Sequence, residues 1–170
     1  MRAWSGRSRD KIGRDFGQEV AKRMHELGWN VDTEVPVTKL LGKGSADGFG
    51  SLKVFGDVDV LAWQADSSRI LLMECKDVQH RKIEGEIAEQ LSDFRGELRP
   101  DGKPDFLLRH LNRMSVIAAH PKELAAYVGC KVEPRIEAHL VFKNPVPMKF
   151  ALKRMEERIA IHLLASLDRI

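Results

Sequence analysis

The sequence predicts an α/β fold, a mixed central β-sheet with helices flanking it. Three observations predict it. Two apolar runs, at 53–63 and 69–76, have the length and composition of strands. Segments on either side of them repeat their apolar residues at three- and four-residue steps, as amphipathic helices do. A further apolar run, "RIEAHLVF" at 135–142, returns after more helical sequence, so strands and helices are interleaved in one chain.

From Asp10 to about Leu27, the residues Ile12, Phe16, Val20, Met24 and Leu27 mark the buried stripe of a first helix, closed by Gly28 as its C-terminal cap. "WNVDTEVPV" follows as an extended segment. Five glycines, at 42, 44, 48, 50 and 56, make the next stretch a loop. The two strands come next, joined through "QADSS". A second helix is expected from about Arg81 to Leu98, with Ile83, Ile87, Leu91, Phe94 and Leu98 on one face. "RPDGKPD" breaks the chain, and Asp105 is placed to cap a short helix carrying Phe106, Leu107 and Leu111. "MSVIAA" reads as a buried strand, and "PKELAAYVG" as a helix opened by Pro121 and closed by Gly129. After the 135–142 strand, Met155, Ile159, Leu163, Leu167 and Ile170 read as the stripe of a long terminal helix.

The 170 residues are expected to form one domain, with a basic segment at 1–9 and the chemistry within about 10–98. Apolar residues make up 43% and charged residues 31%, which argues against disorder. No apolar run is long enough to span a membrane, and the N-terminus has no apolar stretch to act as a secretory signal. Cys75 and Cys130 are far apart and unpaired by any CxxC spacing, so a cytoplasmic protein is expected, without a disulfide framework or a structural zinc site. The net charge is only +3, yet the first 25 residues carry seven basic side chains against three acidic ones. That excess suits a phosphate-facing patch, with Arg7, Arg9 and Arg14 as its members, and equally suits a solvated helix face.

The informative feature is a set of four ionisable residues inside the two apolar strands: Asp57 and Asp59 in "GDVDVLAW", Glu74 and Lys76 in "ILLMECKD". Alternation puts each pair on one face of its strand. A hairpin symmetric about Asp66 and Ser67 then sets Asp59 opposite Glu74, and Asp57 opposite Lys76. Facing carboxylates cost stability unless a positive charge lies between them, and a hard divalent cation supplies one. A plainer alternative is an Asp57–Lys76 ion pair, with Asp59 and Glu74 facing solvent on a sheet edge. The apolar residues of the alternate face (Val54, Val58, Val60; Leu71, Met73, Cys75) argue that these strands border a core. Cys75 reads as part of that core and not as a nucleophile.

Asp59, followed on the next strand by Glu74-Cys75-Lys76, resembles the PD-(D/E)xK nuclease superfamily, whose members share the restriction-endonuclease-like fold. "GDVDVLA" is similar to the corresponding strand of its small resolvase and RecB-type nucleases. The resemblance covers residues 9 to about 98. It implies a metal-dependent nuclease acting on DNA, with Mg²⁺ or Mn²⁺ held by Asp59, Glu74 and the Cys75 backbone carbonyl. Lys76 would position the attacking water and stabilise developing charge. Glu19 matches the acidic residue usual in the preceding helix and would complete the site. Gln90, in "QLSDF", partly matches the glutamine of RecB-type members, with Phe94 where tyrosine would stand. The proline usual before the first aspartate is absent, since Gly56-Asp57-Val58 stands there. Arg81 and Lys82, just after the ExK strand, are placed for phosphate contacts. An RNA nuclease, or a nuclease-like binding module without catalysis, stands as the alternative. Enzymes of this fold often pair two subunits, so a homodimer or a domain of a larger protein is the partner arrangement implied. "GKGS" falls short of a phosphate-binding loop, and no GxSxG or paired Cys/His signature points to another hydrolase.

Overall fold

The structure is a computed structural model, and it describes residues 6–42, 51–64, 68–78, 87–88, 91–146 and 159–170. Helix α1 (Gly6–Glu26) starts four residues earlier than expected and ends as expected. Phe16, Val20, Ala21 and Met24 form its buried stripe. Gly28 then takes φ 88°, a conformation that glycine adopts freely, and its amide donates to the His25 carbonyl.

Five strands form one sheet in the order β1-β2-β3-β4-β5. They are β1 (Asn30–Pro36), β2 (Asp57–Trp63), β3 (Arg69–Lys76), β4 (Arg135–Phe142) and β5 (Ala160–Leu163). The first three run antiparallel, while β4 joins β3, and β5 joins β4, in parallel. The sheet is therefore mixed, and the fold is α/β as the sequence predicts. One face carries α1, whose stripe packs on Val60, Ala62, Leu71, Met73, Cys75 and Val141. The other face carries α2 (Val37–Leu41), α3 (Phe106–Ala118) and α4 (Pro121–Val128), over Val58, Leu61, Ile70 and Leu72. A third apolar cluster joins Phe94, Leu107, Leu140, Phe142 and Ile159 on that same side. No helix among the described residues is long and apolar enough to cross a membrane.

Four expectations are corrected. "MSVIAA" is not a strand but the second half of α3, whose buried residues Leu107, His110, Arg113, Val116 and Ile117 keep helical spacing. A short apolar run looks the same in a buried strand and a buried helix, and here the Asp105 cap decides, accepting from the Leu108 amide at 2.7 Å. The terminal helix is not formed over its second half: Ala160–Leu163 is β5 and Leu164–Arg169 a 3-10 helix. The expected strand start at 53 belongs to a 3-10 turn, Leu52–Phe55, with Val54 74% exposed; Gly56 at φ 65° separates it from β2. The helix expected to reach Leu98 ends by residue 92, because the chain turns at Asp93–Gly96 and Leu98 bridges to Pro104. The short helix α2 carries no clear signal in the sequence. The elements with explicit punctuation fare better: α4 opens on Pro121 and closes on a left-handed Gly129.

Candidate active site at the end of strands β2 and β3

The hairpin register is the one that symmetry predicts, with Val60 opposite Met73 and Trp63 opposite Ile70. The ladder stops there, one residue short of Asp59 and Glu74. The cause lies in the neighbouring strand. Glu34 is the one non-glycine residue with positive φ (50°) among those described, and it falls where β1 would meet Asp59. On either side of this break both strands change face. Val31 and Val60 pack against α1, whereas Val35 and Val58 pack under α2–α4. Strict alternation would have put Val58 and Val60 on the same side.

This change of phase brings the Asp59 carboxylate to the end of β3, where its Oδ2 accepts the Cys75 amide at 2.7 Å. Glu74 and Lys76 point to the α3 side of the same strand end. Glu74 is 7% exposed, and its two oxygens are taken by Lys76 Nζ at 2.7 Å and by Arg113 Nη1 at 2.6 Å. Arg113 is fixed in turn by donating from Nε to the Phe55 carbonyl at 2.8 Å. His110, one helical turn earlier on α3, lies 3.9 Å from Glu74 with neither ring nitrogen in a hydrogen bond of ordinary geometry. The expected Asp57–Lys76 pair is absent. Asp57 instead stands opposite Pro36 and is exposed, while Lys76 turns to Glu74.

The electrostatics are those of a crowded site. Burial and the Glu74 charge push the Asp59 pKa up to about 6, against the pull of Lys76, the Cys75 amide and Arg113. Burial also works against a charged Glu74, but Lys76, Arg113 and His110 outweigh it and bring that carboxyl down to about 2. Lys76 is likewise opposed by burial, and the two carboxylates outweigh it, so its ammonium is held charged. Burial pushes the Cys75 thiol well up, which leaves it a core residue. His110 is pushed down to about 4, chiefly by burial, and is neutral at pH 7.

Of the predicted site residues, Asp59, Glu74 and Lys76 come together. Glu19 does not join them: it is exposed on α1, bound to Lys143 Nζ at 2.9 Å, which reaches Asp77 at 3.8 Å. Arg14, also exposed on α1, lies 4.0 Å from Glu34. Gln90, Arg81 and Lys82 lie outside the described residues, as do the side chains of Arg7 and Arg9. Two members of the cluster were not foreseen, His110 and Arg113. Their signal was the stripe Leu107-His110-Arg113-Ile117, which places two basic residues on the buried side of a helix.

Among the described residues no group of three or more His, Cys, Asp or Glu is placed to hold a metal ion. The donor set fits a hard cation of the kind that keeps its waters and takes only one or two carboxylates. Asp59 fits best, since the Cys75 amide engages its Oδ2 and no ion pair takes its other oxygen among the described residues. Glu74 fits only if Lys76 or Arg113 yields one of its oxygens.

No curated protein and no solved structure matches the chain. A family model described as anti-phage protein Upx-like matches residues 1–168, nearly the whole length. The chain thus belongs to the Upx-like family of anti-phage proteins.

Proposed function

We propose that the chain is a metal-dependent nuclease of the PD-(D/E)xK type, acting on the phosphodiester bonds of DNA. The observation that carries this reading is the meeting of Asp59, Glu74 and Lys76 at one strand end. Two carboxylates are crowded there, and one is left with a pKa near 6. A fold has no structural need for such crowding, whereas perturbed, buried carboxylates are common at sites that bind cations and substrates. The anti-phage family supports the reading in one respect: nucleic acid is a target that every phage offers. Its description names no reaction.

In this reading a bound Mg²⁺ or Mn²⁺ supplies Lewis-acid chemistry and a more acidic water. Asp59 and Glu74, with the backbone carbonyl of Cys75, the residue after Glu74, would be its protein ligands. Lys76, held charged, orients the attacking water and stabilises negative charge building on the phosphate. It is not suited to be a base, because its pKa is raised and not lowered. Arg113 holds Glu74 in place and offers a second cation near the phosphate. Cytoplasmic action suits the two free cysteines.

A second reading has its own observation. Both Glu74 oxygens are already satisfied by the chain's own cations, as in a nuclease-like module that binds without cutting. Nicking of supercoiled plasmid with Mg²⁺ or Mn²⁺ separates the two, with a structured RNA assayed in parallel. The nuclease reading expects nicking by the wild type and a loss of at least about a hundredfold in Asp59→Asn and Glu74→Gln. No cleavage of either nucleic acid, or cleavage that survives both substitutions, overturns it.

A further inference from the structure

The ring of Phe106, at the start of α3, gathers three cations. Lys76 Nζ lies 5.1 Å from its centroid, the Arg99 guanidinium 5.1 Å and the Arg109 guanidinium 4.9 Å. Phe106 is half-buried, and its place is fixed by a tilted contact with Phe94 at 5.6 Å. Such a ring draws cations to its face. This holds like charges close together, though it does not neutralise them.

The carboxylates nearby do not balance the group. Lys76 is taken by Glu74, and Arg99 Nη2 by Asp93 at 2.8 Å. Asp105, at the same helix start, spends both oxygens on the amides of Leu108, Gly96 and Glu97. Two donors are left over. Arg109 is exposed, with no carboxylate partner among the described residues, and Arg99 Nε is buried with no acceptor. The exposed, unpaired guanidinium of Arg109, with the half-exposed Arg99 sharing its charge with a single carboxylate and a lysine that faces Glu74, forms an opening for an oxyanion with several acceptor oxygens. Arginine's planar fork suits a phosphate in particular.

We propose that Arg99 and Arg109, gathered with Lys76 around Phe106, form a subsite for the phosphodiester backbone of a nucleic acid strand. Lys76 belongs to both clusters, so a strand seated here passes the Asp59–Glu74 pair. The backbone-binding role rests on the cations alone; the claim that this phosphate neighbours the cut one rests on the nuclease reading.

The test is fluorescence anisotropy with a labelled duplex DNA and a labelled single-stranded RNA of equal length. It uses the full chain in EDTA, so that no cleavage enters, and a range of salt concentrations. The variants are Arg109→Ala, Arg109→Glu and Lys131→Glu. Lys131 is exposed and lies just before β4, at the far end of the sheet. The proposal expects Arg109→Glu to weaken binding about tenfold or more and Arg109→Ala about threefold. The slope of log affinity against log salt should fall by about one. Lys131→Glu should bind as the wild type does. Selective loss on DNA or on RNA identifies the strand that the subsite takes, and either supports it. Wild-type affinity in Arg109→Glu, an equal loss in Lys131→Glu, or no binding by the wild type overturns it. The expected binding losses, together with no cleavage by the wild type in the separate nicking assay with Mg²⁺ or Mn²⁺, would leave the subsite standing and remove the nuclease reading alone.

Discussion

Two charged clusters sit on strands β3 and β4, one at each end, and they are built differently. At the start of the strands, Glu137 receives the Arg69 guanidinium from Nε and Nη2, both at 2.9 Å, with Arg135 Nε at 3.2 Å. One carboxylate meets two arginines, and the Arg69 hydrogen bonds bring the Glu137 pKa down. At the other end Glu74 has two cations of its own, while burial, and after it the Glu74 charge, raise the Asp59 pKa to about 6. The first cluster is a finished ion pair. The second satisfies both Glu74 oxygens, while Asp59 has the Cys75 amide and no ion pair among the described residues; in the proposed reading this is where a cation would bind.

The largest effect should come from breaking the buried member of the comparison. Arg113→Ala leaves Glu74 buried with one partner fewer and should cost about 3–5 kcal/mol of stability by chemical denaturation. Arg69→Ala removes a bidentate but more exposed pair and should cost about 1 kcal/mol. Replacing Glu74 and Arg113 together by methionine should recover much of the first loss, since no uncompensated glutamate then remains at the end of β3. Equal costs for the two arginines would remove the distinction drawn between the clusters.

A smaller effect of opposite sign is expected at Asp59. Its folded pKa of about 6 lies above the ordinary 3.8. Between those values the folded chain keeps a proton that the unfolded chain has released. This contribution to stability is present below pH 3.8 and is lost as the pH rises through 6. Asp59→Asn should therefore be more stable than the wild type above pH 6, by up to about 2 kcal/mol, and no more stable near pH 4. His110 beside Glu74, and the buried His139, whose Nε2 lies 3.5 Å from Glu137, titrate the other way. Burial is the leading cause that brings both to about 4, so their contribution is full above pH 6.5 and lost as the pH falls toward 4. With Asp59 replaced, nothing at that position opposes the histidines, and stability should fall more steeply over that window. Denaturant midpoints across pH 4–8 for wild type and variant read both effects.

What was legible in the sequence follows the same division. The β2–β3 register could be read because a short hairpin fixes it, and the C-terminal end of α1 and both ends of α4 because Gly28, Pro121 and Gly129 mark them. The phase change at Glu34 and Asp59 could not. Val58 and Val60 are both apolar, so nothing in the residues shows that they face opposite sides. Arg113 and His110 were missed for a related reason: α3 was divided by reading "MSVIAA" as a strand, and its buried stripe lost its continuity. Glu19 is the opposite case. Its position on α1 matched a motif, but the helix turns that carboxylate to Lys143.

The central claim is that Asp59 and Glu74 are short of one divalent cation. Titration calorimetry with Mn²⁺ on the wild type, Asp59→Asn and Glu74→Gln tests it most directly. The account predicts binding by the wild type that weakens at least about tenfold in each variant. Equal affinity in all three, or no binding by the wild type even with DNA present, would contradict it and leave Asp59, Glu74, Lys76 and Arg113 as a structural charge network.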